Sequence, residues 1–316
     1  MSNLDFPRVV ADTSTMNHEE WLKARHRGIG GSDAAAILGV SPWTSRYTLW
    51  QQKVADEPTS IPSTPAMAFG HRMEPYVAET FADLNQNMTV VDDLNLYAHP
   101  EYEFMQANLD RLIVEEGKPS AILEIKTSAR PQSWIDGVPG YYVSQVQHYM
   151  AVTNIEMSYV AVLLNGQDLK TFEVPRNDKY INILIEKEAK FWEDVKKLIE
   201  PDVDGSESTF QAIRKSYEAS AGKKIELPAT AQDLFDARAT AKKLVEEYTE
   251  EVRRAEAEIM KLLGDSEVGT IDGKSAVTWK EQTRVGVDSK RLKEEYPEVA
   301  EAVSKESSFR VLRVNR

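Results

Sequence analysis

The chain has 316 residues, enough for a full core and more than one folded unit, and contains no cysteine. Disulfides, zinc–thiolate centres and cysteine-held iron–sulfur clusters are therefore excluded. Against 38 Lys and Arg stand 51 Asp and Glu, a formal net charge of −13, which argues against broad non-specific attachment to nucleic acid and requires any such contact to be locally basic.

The opening MSNLDFPRVVADTSTMNHEEW carries no basic-then-apolar leader pattern, and no apolar run approaches a bilayer span. The expectation is a cytoplasmic protein without membrane partners. Asn17, with Glu20 three positions on, predicts a capped helix through Arg25. Lys23, Arg25, His26 and Arg27 form one local basic cluster, and His71 with Arg72 a second. In the run Gly28 to Gly39, Ser32 or Asp33 is expected to cap a short helix that Gly39 ends. Gly28, Gly30 and Gly31 lack the Lys-Ser/Thr end of a P-loop and have no strand before them, so turn geometry is the reading. Ser41-Pro42 is expected to open another helix, with proline in its first position. Phe69, Val77, Phe81 and Leu84 predict a helix over 66–84 around Glu74, with Pro75 as a kink or restart.

Strands are predicted over 89–98, 103–114, 120–128, 157–166 and 169–176, with helices over 140–153 and 178–199. This alternation makes the block α/β. Pro201 to Ser206 is a linker by composition. Beyond it, Leu234, Ala237, Ala241, Leu244, Tyr248, Ala255, Ile259 and Leu262 mark the seam of a long charged helix, for a coiled coil, a helical hairpin or packing on its own domain. Asp272-Gly273 then predicts a hairpin.

Glu124-Ile125-Lys126 carries the chemistry. Alternation in a strand puts Glu124 and Lys126 on one face and Leu123 and Ile125 on the other, so one face is expected to be core and the other chemical. An acid and a base inside an apolar strand are costly to desolvate, and a divalent metal with a phosphate compensates both. The triplet alone also arises on the wet face of an edge strand. Its company is what adds meaning: Asp110, 14 residues earlier, lies in an adjacent predicted strand, so that Asp110, Glu124 and the Ile125 carbonyl can supply oxygens to one Mg²⁺. Lys126 suits the attacking water or the phosphate charge. Glu74, otherwise a routine helix glutamate, can complete the metal shell. Gln145 and Tyr149 share a helix face, where Gln145 can reach water or a phosphate oxygen or simply pack. Arg25 and Ser32 at a helix start offer a terminal-phosphate pocket, provided Asp33 points away. His71, His99 and His148 form no zinc spacing and are read as supporting or structural, while Trp43 and Trp134 are core residues or base-stacking rings at a DNA entrance.

Taken in order, RHRGIGGS running into AAAILGVSPW, FGHRME, Asn108-Leu109-Asp110, Glu124-Ile125-Lys126 and QVQHY resemble the YqaJ-type viral recombinases, the lambda exonuclease branch of the PD-(D/E)xK nucleases. The resemblance spans about residues 20–165. It implies a restriction-endonuclease-like core, a central mixed sheet flanked by helices, which the linker bounds at 1–204, and the helical plus β-hairpin extension over 205–316 is similar to those of some longer members. The acidic character of that extension, and not the resemblance, suits oligomer or partner contacts better than DNA. The resemblance further implies Asp110, Glu124, the Ile125 carbonyl and Glu74 on Mg²⁺, for which Mn²⁺ substitutes, with Lys126 and Gln145 at the attacking water and Arg25 and Ser32 on the 5′-phosphate. The implied activity is 5′→3′ degradation of one strand of linear double-stranded DNA, leaving a 3′ overhang for a single-strand annealing protein in phage or prophage recombination. A ring-shaped homotrimer is the implied assembly. A PD-(D/E)xK endonuclease, or a DNA-end-binding scaffold without catalysis, are the alternative readings.

Overall fold

The computed structural model describes residues 7–58, 63–217, 224–305 and 310–314, in two compact units divided between Tyr217 and Glu218. The division lies beyond the expected boundary at 204. The reason is α7 (Glu207–Ser216), which follows the Pro201 stretch but packs on α3 (Arg46–Val54). Its hydroxyls meet the start of α3: Ser45 N–H donates to Ser208 Oγ (3.1 Å), and the fully buried Thr209 donates to Ser45 Oγ (2.7 Å). Buried polar groups need such partners, which ties α7 to the first unit.

The first unit opens with β1 (Arg8–Asp12), α1 (His18–His26), β2 (Ile29–Gly30) and α2 (Gly31–Ile37). The Asn17–Glu20 capping box starts α1 as predicted. Helix α2 begins earlier than either expected cap: Gly30 is its N-cap, and the Asp33 carboxylate accepts from the Gly30 N–H (3.0 Å). Ser41-Pro42 opens no helix, because Ser41 Oγ accepts from the N–H groups of Trp43 (3.3 Å) and Thr44 (3.2 Å) in a turn, and α3 starts later under a Ser45 cap. Helix α4 (Pro65–Leu84) runs unbroken through Pro75, so no restart occurs there.

The predicted strands 89–98 and 103–114 each break in two. They give β3 (Thr89–Asp92), β4 (Asn95–Ala98), β5 (Met105–Asn108) and β6 (Arg111–Glu115), followed by β7 (Lys118–Ser128), α5 (Gly140–Thr153), β8 (Met157–Leu164), β9 (Asp168–Pro175) and α6 (Asp178–Lys197). Among the described residues, one sheet has the order β3-β6-β7-β8-β9, with β7 and β8 parallel through the α5 crossover and the other pairs antiparallel. A second sheet has the order β1-β4-β5-β2. The chain thus changes sheets at Asp93-Leu94 and again at Leu109-Asp110. At the first break Asp93 Oδ1 accepts from the Tyr97 hydroxyl and the Asn95 amide, both at 2.9 Å.

Strand β7 is covered on both sides. Leu123 and Ile125 pack with Val77 and Phe81 of α4, whereas Ile122 packs with Val146 and Met150 of α5. A strand enclosed on two faces reads as nearly continuous apolar sequence, which AILEIK does apart from its two charges. The expected division into a core face and a chemical face thus holds by residue, with the face bearing Glu124 itself buried, Glu124 being 1% exposed.

In the second unit, α8 (Ala231–Leu263) has no buried residue among those described. A hairpin of β10 (Val268–Ile271) and β11 (Lys274–Thr278) turns through Asp272 and Gly273 at φ +48° and +75°, the left-handed conformations an Asp-Gly hairpin demands. Helices α9 (Ser289–Glu295) and α10 (Pro297–Val303) complete it.

Candidate active site

The second change of sheet builds the site. Strand β6 pairs with β7 no further than Arg111 opposite Leu123, so the Ile125 N–H has no strand partner on that side. Asp110 replaces it, its Oδ2 accepting from Ile125 N–H at 2.8 Å. Both main-chain groups of a residue face the same strand edge, so the Ile125 carbonyl is directed to the Asp110 side as well.

Glu124 is 1% exposed beneath α5. Its Oε1 accepts from Gln145 Nε2 (2.7 Å) and from the Lys126 ammonium, and Gln145 also donates to the Tyr149 hydroxyl (3.0 Å). Its Oε2 is buried without a hydrogen-bond partner. Burial, then the Asp110 charge, push the Glu124 carboxyl well above the usual carboxylate range, with Lys126 opposing them. Burial alone would lower Lys126; the charges of Glu124 and Asp110 reverse this and hold it protonated. Glu74 comes from α4, on the opposite face of the sheet. Burial and Asp110 raise its pKa, while Arg111 Nη1, 2.9 Å from Glu74 Oε1, opposes the rise.

Three carboxylates thus repel one another around a buried orphan oxygen, and Lys126 and Arg111 answer only part of their charge. Hard oxygen donors of this kind suit Mg²⁺ or Mn²⁺. Among the described residues no three acidic or histidine side chains form a ready-made cage. Glu74 is held by Arg111 and Asp110 by Ile125, so the residues fit a cation in chemistry with their present partners in competition for it.

The end-pocket residues also meet. Arg25 Nη2 donates to Ser32 Oγ at 3.0 Å, and the Arg25 guanidinium lies 4.7 Å from the Trp21 ring centre. Asp33 is drawn away by the Lys53 ammonium (2.9 Å) and the Gly30 N–H. Lys53 also donates to the Gly28 carbonyl (2.6 Å), bracing the loop. Lys23 is engaged by Glu19 (2.8 Å) and His26 by the Ala55 carbonyl (2.9 Å), so Arg25 is the member of that basic cluster turned to Ser32. The glycines of this loop are there for close approach and not, as expected, for turn geometry. None of Gly28, Gly30 and Gly31 has a positive φ, and a Cβ on Gly31 would sit 2.4 Å from the Tyr149 ring. Through that contact, Ser32's helix abuts the Tyr149–Gln145–Glu124 chain of hydrogen bonds.

His148 is fully buried. Its Nε2 faces the Gln106 carbonyl (3.0 Å) and its Nδ1 the Glu188 carboxylate (2.9 Å), an arrangement of two acceptors that favours the protonated ring in a structural role. Burial would lower its pKa, but Glu188 holds it above the usual histidine range, and burial raises Glu188 too. His99 accepts the N–H groups of Glu101 and Tyr102 in a turn. Trp134 is 2% exposed and belongs to the core, while Trp43 stands 62% exposed. Sequence reasoning missed Lys53 and Arg111. Arg111 had a signal, its adjacency to Asp110; Lys53 had none.

The profile of the YqaJ-like viral recombinase domain matches residues 20–156, which hold every residue assembled above except Glu19 and Glu188. The uncharacterized protein YqaJ of Bacillus subtilis (strain 168) is 35% identical over 311 residues, covering 96% of this chain and 95% of that protein. The chain belongs to the YqaJ family. Its fold is shared with an alkaline exonuclease, LHK-Exo, in complex with dAMP: TM-score 0.50, 21% identity, over 58% of this chain and 94% of the other. LHK-Exo from Laribacter hongkongensis in another structure gives a TM-score of 0.49 at 20% identity, over 58% and 94% of the two chains. The YqaJ relative, unlike the domain profile, extends over the second unit.

Proposed function

We propose that this YqaJ-family chain is a metal-dependent deoxyribonuclease that degrades one strand of linear double-stranded DNA from its 5′ end. The observation that carries this reading is that Lys126 and Gln145 converge on one oxygen of Glu124, whose other oxygen is buried without a partner, while Asp110 takes the adjacent Ile125 N–H. Asp110, Glu124, the Ile125 carbonyl and Glu74 would hold Mg²⁺ or Mn²⁺. Bound there, the ion would neutralise phosphate charge and acidify water. Lys126, fixed against Glu124, places a positive charge where negative charge develops on the phosphate. Gln145, whose amide N–H groups go to Glu124 and Tyr149, keeps Glu124 aimed and leaves its own Oε1 to accept a hydrogen bond from the attacking water. Arg25 and Ser32 would seat a terminal 5′-phosphate, a group that a guanidinium and a hydroxyl recognise together. This end pocket favours the exonuclease over an endonuclease with the same core. An alkaline exonuclease of the same fold has been crystallised with dAMP, in keeping with a mononucleotide-sized product.

The strand left behind would be a 3′ overhang, passed to a single-strand annealing protein in phage-type recombination in the bacterial cytoplasm. Among the described residues no helix is long and apolar enough to cross a membrane. The second unit, with its long exposed helix, would supply the contacts for that partner or for a homo-oligomer such as a ring trimer. The decisive experiment is digestion of a linear duplex labelled at either end, with and without a 5′-phosphate, in Mg²⁺ and in EDTA. Mg²⁺-dependent loss from phosphorylated 5′ ends, with closed circles spared, is expected; cleavage of closed circles would give the endonuclease.

A further inference from the structure

Trp43 ends a line of aromatic rings that starts in the core and passes beside Lys126. Phe172 stacks on Trp134 (5.8 Å between centres), Trp134 on Tyr142 (5.5 Å), and Tyr142 lies 5.9 Å from Trp43. Tyr141 meets Trp43 at 4.9 Å and 79°. The Lys126 ammonium lies 5.1 Å from the Tyr142 ring centre. The Trp43 ring centre is therefore within about 11 Å of that ammonium, roughly three nucleotide rises of 3.4 Å.

Single exposed aromatics are ordinary on protein surfaces. Trp43 differs because its position is imposed: two tyrosine rings hold it, and the Ser41 hydroxyl fixes the turn that carries it. A large ring held in place yet 62% exposed costs little further entropy when something stacks on it. We infer that Trp43, backed by Tyr141, is a stacking platform for one nucleobase of the strand whose phosphate lies at Lys126, within about three nucleotides of that phosphate. This rests on the nuclease reading of the Asp110–Glu124 site. Every base has a π-face, so the platform serves any sequence, as an end-degrading enzyme needs. It also adds affinity without positive charge, which matters in a chain of net charge −13.

The test is binding of a linear, 5′-phosphorylated duplex by the full chain in EDTA, read by fluorescence anisotropy. Intact DNA is compared with DNA carrying an abasic residue at each of the first three nucleotides. Trp43→Ala is expected to weaken binding of intact DNA roughly 5- to 150-fold, the range for loss of one base–aromatic stack. Trp43→Phe keeps most of the affinity, and one abasic position costs the wild type the same factor while leaving Trp43→Ala unaffected. Equal binding by wild type and Trp43→Ala overturns the platform, as does a loss of the same size on intact and all abasic DNA. Digestion in Mg²⁺ by the same samples separates the two readings. A wild type that cleaves but shows no base-dependent loss removes the platform alone; one that shows the loss but never cleaves removes the nuclease reading alone.

Discussion

The two units put charge and apolar surface to opposite uses. In the first, Glu124 and Glu188 are sealed between sheet and helices, at 1% and 0% exposure. Charges removed from water act on one another strongly and are costly unless answered. In the second, α8 has no buried residue among those described: Leu244, Tyr248 and Ile259 of the seam are 46%, 64% and 42% exposed. Charges there are solvated and screened, and it is the apolar stripe that stands uncovered among the described residues. A closed low-dielectric site suits chemistry and an open apolar face suits association, so on the function proposed above the two uses would fall to separate units.

The comparison breaks first at the carboxylates. Asp110→Asn, Glu124→Gln and Lys126→Ala should each lower turnover on linear duplex by at least about 10²-fold, with melting behaviour retained. Near wild-type digestion by folded Glu124→Gln would falsify the site.

A smaller, substrate-selective effect is expected from Arg25→Ala. Loss of a charge-assisted contact should slow phosphorylated 5′ ends roughly 10- to 100-fold and non-phosphorylated ends little. Equal slowing of both would make Arg25 a structural or catalytic group instead.

The division of labour itself is tested by ending the chain after Tyr217. A cut at Asp204 would remove α7 and strip Ser45 and Gln51 of their partners Ser208, Thr209 and Ser216. The Tyr217 truncation should keep Mg²⁺-dependent cleavage of short duplexes and lose the oligomer, the annealing partner or processivity on long DNA. A folded truncation with no cleavage would place part of the active site in the second unit.

The least effect is on stability, through His148 and Glu188. The His148 pKa is raised above the unfolded value and burial raises Glu188, so the folded pair keeps protons that the unfolded chain releases. Stability from His148 is therefore complete below its unfolded pKa, near 6.5, and is lost as pH climbs through the folded one. Melting temperature should fall on the alkaline side in the wild type and fall less in Glu188→Gln, which supports a neutral ring. Parallel profiles for the two proteins would count against the charged pair.

Much of the candidate site was legible because it obeys local periods. Glu124 and Lys126 share a strand face by alternation, Gln145 and Tyr149 share a helix face by their spacing of four, and Asn17 and Glu20 form the box their spacing announces. The sheet changes at Asp93 and Asp110 were not legible, since β3–β4 and β5–β6 continue the same apolar pattern across the breaks. Nor was the role of Gly31, which depends on where the Tyr149 ring lies.

What the sequence by itself determined is which groups are present and which neighbours along the chain share a face: an acid, a base and a second acid in strand-forming segments, a guanidinium and a hydroxyl around a helix start, and no thiol anywhere. Tertiary structure alone decided that β6 begins only at Arg111 so that Asp110 takes the Ile125 N–H, that α5 closes over Glu124 and leaves one oxygen unanswered, and that Lys53 draws Asp33 aside. Periodicity is a property of a few consecutive residues. Where a strand ends, which helix covers it and which charges are thereby stripped of water depend on segments far apart in the chain, and no local pattern encodes them.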